Sequence, residues 1–304
     1  MKNKSKIAVL GGDQRQYAVA KELCQKNISV YACGLFSEAC DTDKINMCDT
    51  FAEAVDGAAA VILPLPATAD GISLNCPVIK SNERISLEEI VELINGSCIL
   101  CGGRLPQNTV VRALAKGIAV YDYFGEERLQ IKNAYITAEA ALSIAMNSLE
   151  KCVSHSKCVI TGTGRIAKLL SELLLRMRAD VTVVARNADA LVYFELMGCK
   201  TKLINENVAK ESWNREFLHG YDIIFNTVPS WLFDRSFLEK VDKKLLFIEL
   251  ASAPGGVDIC AARELSSNVL WASSLPGKYA PQSAGALIAE CIVKKLGSEE
   301  VGIL

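Results

Sequence analysis

Residues 157–167 of the chain run KCVITGTGRIA, an apolar stretch followed by a GxGxxA turn and the start of a helical pattern. In such a turn the first glycine, Gly162, permits a tight bend, and the second, Gly164, lets a ligand approach the main chain. Ala167 is small enough for the helix to pack on the strand, and the helix start attracts an anion. We therefore predict a strand–turn–helix unit that binds the pyrophosphate of a dinucleotide. The predicted contacts are Gly162, Thr163, Gly164, Arg165 and Ile166.

The next strand selects the nicotinamide nucleotide. It ends in Val183-Val184-Ala185-Arg186-Asn187, with no carboxylate to hold the ribose 2′-hydroxyl of NAD. Arg186 stands where a cation can pair with a 2′-phosphate. The pattern favours NADP over NAD, and the alternative is that Arg186 is only a solvated residue at a strand end.

Outward from this turn, short apolar runs alternate with helical patterns along the whole chain, which is typical of parallel sheets covered by helices. In the second half we predict strands at 157–161, 181–185, 200–203, 223–226, 245–250 and 269–271. In the first half we predict strands at 7–10, 29–33, 60–65, 98–101 and 118–121, with helices at 14–25, 87–94 and 108–115. The first half is thus expected to be a five-stranded unit of flavodoxin-like size.

A length of 304 residues suits two domains. The predicted fold class is α/β, with two Rossmann-like doubly wound parallel-sheet domains joined by bridging helices. Residues 1–133 form the substrate domain, 134–151 a bridging helix and 152–280 the NADP-binding domain. A C-terminal helix at 281–298 carries small residues around Gly285 and is expected to pack back on the first domain. Two such helices across a cleft permit hinge closure.

Composition excludes several classes of function. With 33 basic and 35 acidic residues the chain offers no broad cationic surface, so nucleic-acid binding is disfavoured. No stretch approaches the ~20 apolar residues that span a bilayer, so we expect a cytoplasmic protein without a membrane segment. The 12 cysteines fall mostly in apolar patterns and suit a reducing compartment. Cys98 and Cys101 form a CxxC, but residues three apart on a strand face opposite ways, so we predict no metal site.

Polar residues follow two later strands. Asn226, Thr227 and Pro229 come where the carboxyl ends of parallel strands meet ligand, and we expect them to line the nicotinamide ribose pocket. Ser252 lies in a loop that runs to Gly255-Gly256. Ligand binding and ordinary turn chemistry explain that loop equally well.

The first strand of the chain also ends in a glycine turn, formed by Gly11-Gly12-Asp13 and followed by Arg15. It lacks the GxGxxG pattern, and a helix N-terminus with an arginine suits a carboxylate better than a dinucleotide. An equal alternative is that Asp13 caps the helix and Arg15 is solvated. Asn82 follows another apolar run and could contribute a polar group to the same cleft.

Six motifs follow one another along nearly the whole chain. They are Gly11-Gly12-Asp13 with Arg15-Gln16, Ser81-Asn82-Glu83, Thr137 with Glu139, Asn226-Thr227-x-Pro229, Leu250-Ala251-Ser252-x-Pro254-Gly255-Gly256-x-Asp258 and Leu275-Pro276-Gly277-x-x-Ala280-Pro281. Together, and in this order, they resemble one family, the A subunit of dipicolinate synthase. The sequence departs from the family at Cys101-Gly102-Gly103-Arg104, so no role is assigned to Arg104.

The resemblance implies oxidation of a dihydrodipicolinate-type intermediate to pyridine-2,6-dicarboxylate with NADP, in the mother cell of a spore-forming bacterium. It also implies that the partner is a flavoprotein-like B subunit, and we expect a homo-oligomer. The residues assigned to substrate binding are Gly12, Asp13, Arg15, Asn82, Ser252 and Lys278.

Such an oxidation moves a hydride to the nicotinamide and a proton to a base or water, so the protein must mainly orient the substrate and neutralise two carboxylates. Arg15 is the predicted carboxylate anchor. Glu139 is the candidate for proton handling, or else an exposed acid in the first turn of a helix. His155 and His219 fall in polar turns, which argues against a 2-hydroxy-acid dehydrogenase. The alternatives are a shikimate- or alanine-dehydrogenase-like oxidoreductase and a non-catalytic dinucleotide sensor.

Overall fold

The computed structural model describes residues 5–36, 44–80, 83–95, 97–204 and 215–298. The chain divides into two compact units. The first comprises Met1–Asn133 and Pro276–Leu304, and the second comprises Ala134–Leu275. Each unit contains a six-stranded parallel sheet flanked by helices. The predicted α/β class with two Rossmann-like parallel-sheet domains is confirmed.

The first sheet has the strand order β3-β2-β1-β4-β5-β6. Its strands are β1 (Lys6–Leu10), β2 (Ser29–Cys33), β3 (Ile45–Met47), β4 (Ala60–Ile62), β5 (Ile99–Gly102) and β6 (Ala119–Asp122). All neighbouring strands are parallel. The order reverses between β1 and β4, and in open sheets of this kind ligands bind outside the carboxyl ends of the strands at such a point.

The prediction of a five-stranded, flavodoxin-like first unit is wrong. A sixth strand, β3, pairs with β2 at the edge of the sheet, with Ile45 opposite Val30. The resulting order is that of dinucleotide-binding domains rather than of flavodoxin. The sequence hides this strand because it has only three residues and Ile45 alone among them is buried, so neither a continuous apolar run nor an alternation is visible.

Five helices follow these strands. They are α1 (Gln14–Gln25), α2 (Phe51–Val55), α3 (Leu87–Leu93), α4 (Gln107–Ala115) and α5 (Glu127–Ser148). A short 3₁₀ helix, Tyr123–Gly125, precedes α5. Helix α5 begins at Glu127, earlier than the predicted start at 134, and it crosses the boundary between the two units. Its first two turns are largely polar, which masks the helical period although these residues are good helix formers.

The second sheet repeats the same order, β12-β11-β10-β7-β8-β9. Its strands are β7 (Lys157–Thr161), β8 (Asp180–Ala185), β9 (Lys200–Leu203), β10 (Ile223–Asn226), β11 (Leu246–Glu249) and β12 (Val269–Trp271). The helices of this part of the chain are α6 (Arg165–Arg176), α7 (Ala188–Leu196), α8 (Arg215–Leu218), α9 (Arg235–Leu238) and α10 (Ile259–Glu264). The order reverses between β7 and β10, beside the glycine turn that follows β7.

The chain ends with α11 (Leu275–Tyr279) and α12 (Pro281–Leu296), which begins with a proline in its first turn. Helix α12 packs on α1 of the first unit through Gly285. A Cβ atom at Gly285 would lie 2.5 Å from the Cβ of Ala18 and 2.6 Å from the carbonyl oxygen of Arg15. Only glycine allows the two helices to approach this closely.

Each sheet is covered on both faces by apolar side chains. Cys98 and Cys101 belong to the cores on opposite faces of the first sheet, as the strand geometry predicted. Among the described residues, no group of three or more His, Cys, Asp or Glu side chains is arranged to hold a metal ion. Nor does the described part of the chain contain a helix with the length and apolar character needed to cross a membrane.

Candidate functional site

The glycine turn after β7 adopts a conformation that requires glycine at its first position. Gly162 has φ +89°, and its N–H donates to the carbonyl oxygen of Val184 at 2.9 Å. A Cβ atom here would lie 2.8 Å from Cγ2 of Val228 and 2.9 Å from Oγ1 of Thr227. The turn therefore packs tightly against the loop that follows β10.

The second glycine differs from the first. Gly164 caps α6 with φ −74° and ψ −176°, an extended conformation open to any residue, and a Cβ atom added there would meet nothing within 4 Å. The cap has no side-chain hydrogen bond, and the first turn of α6 contains no acidic residue. Ala167, fully buried, brings α6 against the sheet. The start of α6 thus offers an exposed backbone at the positive end of a helix, which suits an anion.

A cavity of about 400 Å³ lies between this turn and the end of β8. This volume is within the range of roughly 300–1,000 Å³ that is typical of ligand cavities. Three of the predicted cofactor residues line it, namely Gly162, Thr163 and Arg186. The other six do not, namely Gly164, Arg165, Ile166, Asn226, Thr227 and Pro229. The additional lining residues are Thr161, Val184, Ala185, Asn187, Ile204, Val228 and Leu232. The cavity has the size and position for the adenosine half of a dinucleotide.

A larger cavity, of about 830 Å³, lies at the opposite edge of the second sheet. Its lining includes Lys151, Asp222 and Leu245, which precede the amino ends of β7, β10 and β11. Because nucleotides bind at the carboxyl ends of parallel strands, we assign the nucleotide to the smaller cavity.

Arg186 is exposed in the loop after β8, on the wall of the 400 Å³ cavity. Its neighbour Asn187 caps α7, because its Oδ1 accepts a hydrogen bond from the N–H of Ala190 at 3.0 Å. The cap fixes the backbone immediately after Arg186, and the acid in the first turn of α7 is the exposed Asp189. The geometry keeps a cation at the end of β8.

Asn226 lies beneath the loops at the carboxyl edge of the sheet, with 1% of its surface exposed. Its Oδ1 accepts hydrogen bonds from the hydroxyl of Thr161 and from the N–H of Val228. Its Nδ2 donates to the carbonyl oxygen of Val228 at 3.0 Å and to the carboxylate of Glu249. The Asn226 side chain therefore serves internal hydrogen bonds, and Thr227 binds the carbonyl oxygen of Thr161 through its own hydroxyl at 2.6 Å.

Glu249, the last residue of β11, is fully buried. Its carboxylate accepts hydrogen bonds from Nδ2 of Asn226 at 2.9 and 2.8 Å, from the N–H of Ala251 at 2.8 Å and from the N–H of Gly256 at 2.9 Å. The described part of the chain supplies no cation in a salt bridge with it. Burial raises the pKa of the Glu249 carboxyl above its ordinary value, while the hydrogen bonds from Asn226, Gly256 and Ala251 oppose this shift.

Sequence reasoning missed Glu249, although a signal was present. Within Leu245–Leu250 the run LLFIEL places one acid among five apolar residues, in a strand predicted to be buried on both faces. A charged residue is almost never fully buried without partners. An acid in such a run therefore indicates the centre of a buried polar network.

In the first unit, the buried Arg15 forms an ion pair with the half-buried Asp13 at the start of α1. Nη2 of Arg15 lies 2.7 Å from Oδ2 of Asp13, and Nε lies 2.9 Å from Oδ1. Asp13 also caps α1 by accepting the N–H of Arg15 at 3.0 Å. Arg15 is only 7% exposed, so the alternative that it is solvated is wrong. A Cβ atom on Gly277 would lie 2.6 Å from Oδ2 of Asp13, which brings α11 against the pair.

Two more buried polar side chains surround the carboxyl ends of β1 and β4. Nε2 of Gln16 donates to the carbonyl oxygen of Ile62 at 3.0 Å, and the hydroxyl of Tyr123 donates to that of Leu63 at 2.9 Å. Burial raises the pKa of Tyr123 well above its ordinary value, against the lowering effect of the Arg15 charge. Tyr123 is therefore a neutral hydrogen-bond donor.

The remaining predicted residues are distributed as follows. Asn82 lies outside the described residues. Gly12 has φ +91° in the turn before α1, and Lys278 is exposed in the same unit. Ser252 and Glu139 are exposed in the second unit. Glu139 is well inside α5, so the alternative of a first-turn acid is wrong.

Three other ionisable residues lie on the surface. His155 and His219 are exposed, as predicted. Arg104 is exposed with φ +56°, and its guanidinium lies 4.9 Å from the centre of the Phe124 ring. None of the three is in the cavity that we assign to the nucleotide.

The two sheets, with their strand order and the glycine turn of the second, define the chain as a protein of two Rossmann-type α/β domains. Residues 6–124 match the model of the N-terminal domain of the A subunit of dipicolinate synthase. The A subunit of dipicolinate synthase from Bacillus subtilis (strain 168) is 26% identical over 302 residues, which are 96% of this chain and 95% of the relative. The chain thus resembles the A subunit of dipicolinate synthase over nearly its whole length, and the predicted resemblance to that family is confirmed.

Solved structures agree with this assignment of fold. The crystal structure of the A subunit of dipicolinate synthase from Bacillus halodurans has a TM-score of 0.80 at 24% identity and covers 98% of this chain and 99% of its own. A transhydrogenase from Sinorhizobium meliloti has a TM-score of 0.63 at 14% identity and covers 98% of this chain and 95% of its own. At these identities the structures show the shared fold alone.

Proposed function

We propose that the chain is the A subunit of a dipicolinate synthase and oxidises a dihydrodipicolinate-type intermediate to dipicolinate with NADP. The observation that carries the nucleotide part is the glycine turn of the second unit, with Gly164 exposed at the start of α6 beside a cavity of about 400 Å³. The full-length resemblance to the A subunit of dipicolinate synthase supports the choice of substrate.

On the nucleotide side, the chain's own groups have separable tasks. The backbone of Thr163, Gly164, Arg165 and Ile166 would hold the pyrophosphate at the start of α6. Arg186 would pair with the 2′-phosphate and so favour NADP over NAD. Bound NADP supplies the acceptor for the hydride. Pro229 is exposed in the loop after β10, where that loop would face the nicotinamide half together with Thr227.

On the substrate side, Arg15 is the proposed anchor for a carboxylate. Asp13 holds the edge of its guanidinium formed by Nε and Nη2, so the arginine is fixed in one orientation before substrate binds. Such pre-organisation reduces the entropy lost on binding. Gly12 and Lys278 would assist from the same unit, and Ser252 and Asn82 are proposed from their motifs. Glu139 would accept the proton, directly or through water.

The relatives' names include the word subunit, which supports a partner chain. We propose that this partner is a flavoprotein-like B subunit, and that the chain itself forms a homo-oligomer. If the resemblance extends to physiology, the protein acts in the cytoplasm of the mother cell during sporulation.

The test is a reaction of the purified chain with NADP and the dihydro substrate. We expect dipicolinate, seen by its near-ultraviolet absorbance, to form in step with reduced nicotinamide. Reduction of NADP by alanine or shikimate instead would favour the alternative dehydrogenases. Tight NADP binding without hydride transfer to any of these substrates would favour a sensor.

Arg15→Lys tests the anchor, because lysine keeps the charge and loses the fork that binds a carboxylate through two hydrogen bonds. We expect the KM for the dicarboxylate to rise about tenfold or more, as the loss of a charged hydrogen bond predicts, with the KM for NADP unchanged. Arg104→Gln, an exposed cation of the same unit without an assigned role, is the control. Equal changes in both KM values would contradict the assignment of Arg15.

A further inference from the structure

The carboxylate of Glu249 joins three loops at the carboxyl edge of the second sheet. Through Ala251 and Gly256 it holds both ends of the loop after β11. Through Asn226 it reaches the loop after β10, because Asn226 binds both the N–H and the carbonyl oxygen of Val228. Through Asn226 and Thr161 it reaches the residue that precedes the glycine turn.

The hydrogen bonds that connect Glu249, Asn226 and Thr161 allow only one assignment of donors and acceptors. An ionised carboxylate is an acceptor only, so Glu249 forces the amide nitrogen of Asn226 to face it and the amide oxygen to face Thr161. The Thr161 hydroxyl must then donate to that oxygen, which leaves its lone pair for the N–H of Thr227 at 3.1 Å. One buried charge therefore orients every donor and acceptor up to the glycine turn.

The loops after β10 and β11 are packed tightly against each other. A Cβ atom on Gly256 would lie 2.5 Å from Nδ2 of Asn226 and 2.7 Å from the carbonyl oxygen of Ser230. The loop after β11 thus rests directly on the amide that Glu249 orients, and on the backbone of the loop after β10.

The loop after β10 lies where the strand order reverses between β7 and β10. The 400 Å³ cavity extends from the end of β8, where Arg186 lines it, to that loop, where Val228 and Leu232 line it. A dinucleotide in this type of sheet spans the reversal. If the adenosine half fills the cavity, the nicotinamide half meets the loops that Glu249 fixes.

We infer that Glu249 is a positioning residue for the nicotinamide half of the dinucleotide, acting through Asn226, Thr161 and the loop that ends at Gly256. The inference rests on the proposed function. It adds a residue that touches neither nucleotide nor substrate but sets the shape of the surface that receives the nicotinamide.

The decisive variant is Glu249→Gln, which keeps the size and removes the charge. Whichever way the new amide is turned, its NH₂ group faces Nδ2 of Asn226 and one of the two backbone N–H groups, so donors oppose donors. We expect the Kd for NADP to rise about tenfold or more, the effect of losing roughly 1.4 kcal/mol of binding. Adenosine 2′,5′-bisphosphate, which carries only the adenosine half, should lose less affinity than NADP, because of these loops only Val228 and Leu232 line the cavity.

Two further measurements separate positioning from loss of structure. Glu264→Gln, an exposed acid in α10 of the same unit, is the matched control and should change neither Kd. In Glu249→Gln, amide hydrogen exchange should quicken in peptides that cover residues 226–232 and 250–257 and remain unchanged in β8 and α7.

The outcomes are distinguishable. If the natural protein binds neither NADP nor adenosine 2′,5′-bisphosphate, the proposed function fails, and this inference with it. If the natural protein binds both and Glu249→Gln binds NADP as tightly, or loses both ligands equally, only the role of Glu249 is overturned.

Discussion

Alanine substitutions at the two glycines of the second unit's turn should have different effects: Gly162→Ala should lower the stability of the protein, and Gly164→Ala should weaken NADP binding. In Gly162→Ala the new methyl group meets Val228 and Thr227 at less than 3.0 Å, and φ is +89°. A left-handed conformation costs alanine about 1–2 kcal/mol and overpacking about 1–3 kcal/mol. At about 3 °C per kcal/mol for a unit of this size, we expect Tm to fall by roughly 6–15 °C.

In Gly164→Ala the methyl group meets no atom within 4 Å, and the backbone conformation is open to alanine. The free energy of unfolding should change by no more than about 0.5 kcal/mol. A pyrophosphate at the start of α6 would nevertheless be displaced by this methyl group. If that displacement costs about 1–3 kcal/mol, the Kd for NADP rises about 5–150-fold.

The assay pairs thermal unfolding without ligand with calorimetric titration of NADP into each variant at a temperature where it is folded. Gly164→Ala that binds NADP as tightly as the natural protein would refute the placement of the pyrophosphate. Gly162→Ala as stable as the natural protein would refute the packing of the turn.

Three other predictions follow from the structure. Arg186→Asp should weaken NADP binding about tenfold or more while leaving NAD binding nearly unchanged, and calorimetry with both nucleotides would show an unchanged ratio if Arg186 has no part in the selection. Burial raises the pKa of the Cys98 and Cys158 thiols to about 12. Mass spectrometry after brief alkylation of the folded protein should therefore find the exposed Cys152 modified well before either. Equal rates of alkylation would contradict the burial of Cys98 and Cys158. Because the pKa of Glu249 is raised in the folded state, the folded protein binds this proton more tightly than the unfolded chain does. Above the ordinary glutamate pKa of about 4.3, the free energy of unfolding of the natural protein should therefore fall with rising pH relative to that of Glu249→Gln. Denaturant unfolding at several pH values would contradict the raised pKa if the two proteins changed in parallel.

Much of the fold could be predicted because the relevant signals are local. The strand at 157–161, the turn at 162–164 and the helix after it each have a pattern within a few residues, and the structure has them at the predicted places. Edge strand β3 could not be predicted, because its three residues gain their pairing from β2 rather than from a pattern of their own. The early start of α5 was hidden for a similar reason, since polar residues continue a helix without showing its period.

Residues of the candidate site could be predicted only where the residue type at one position is enough to indicate its role. Gly162 and Arg186 were identified from position, because a turn and a strand end have fixed places in this type of sheet. The ion pair of Arg15 with Asp13 and the partners of Glu249 depend on which side chains meet in three dimensions. Asn226 illustrates the difference: its place at a strand end suggested a ligand contact, whereas its hydrogen bonds hold the loops together.

Isothermal titration of NADP into the folded, ligand-free chain tests whether the backbone at the start of α6 binds the pyrophosphate of a nicotinamide nucleotide. We expect one molecule to bind per chain, more tightly than NAD. A folded protein that gives no binding signal with either nucleotide would contradict the account.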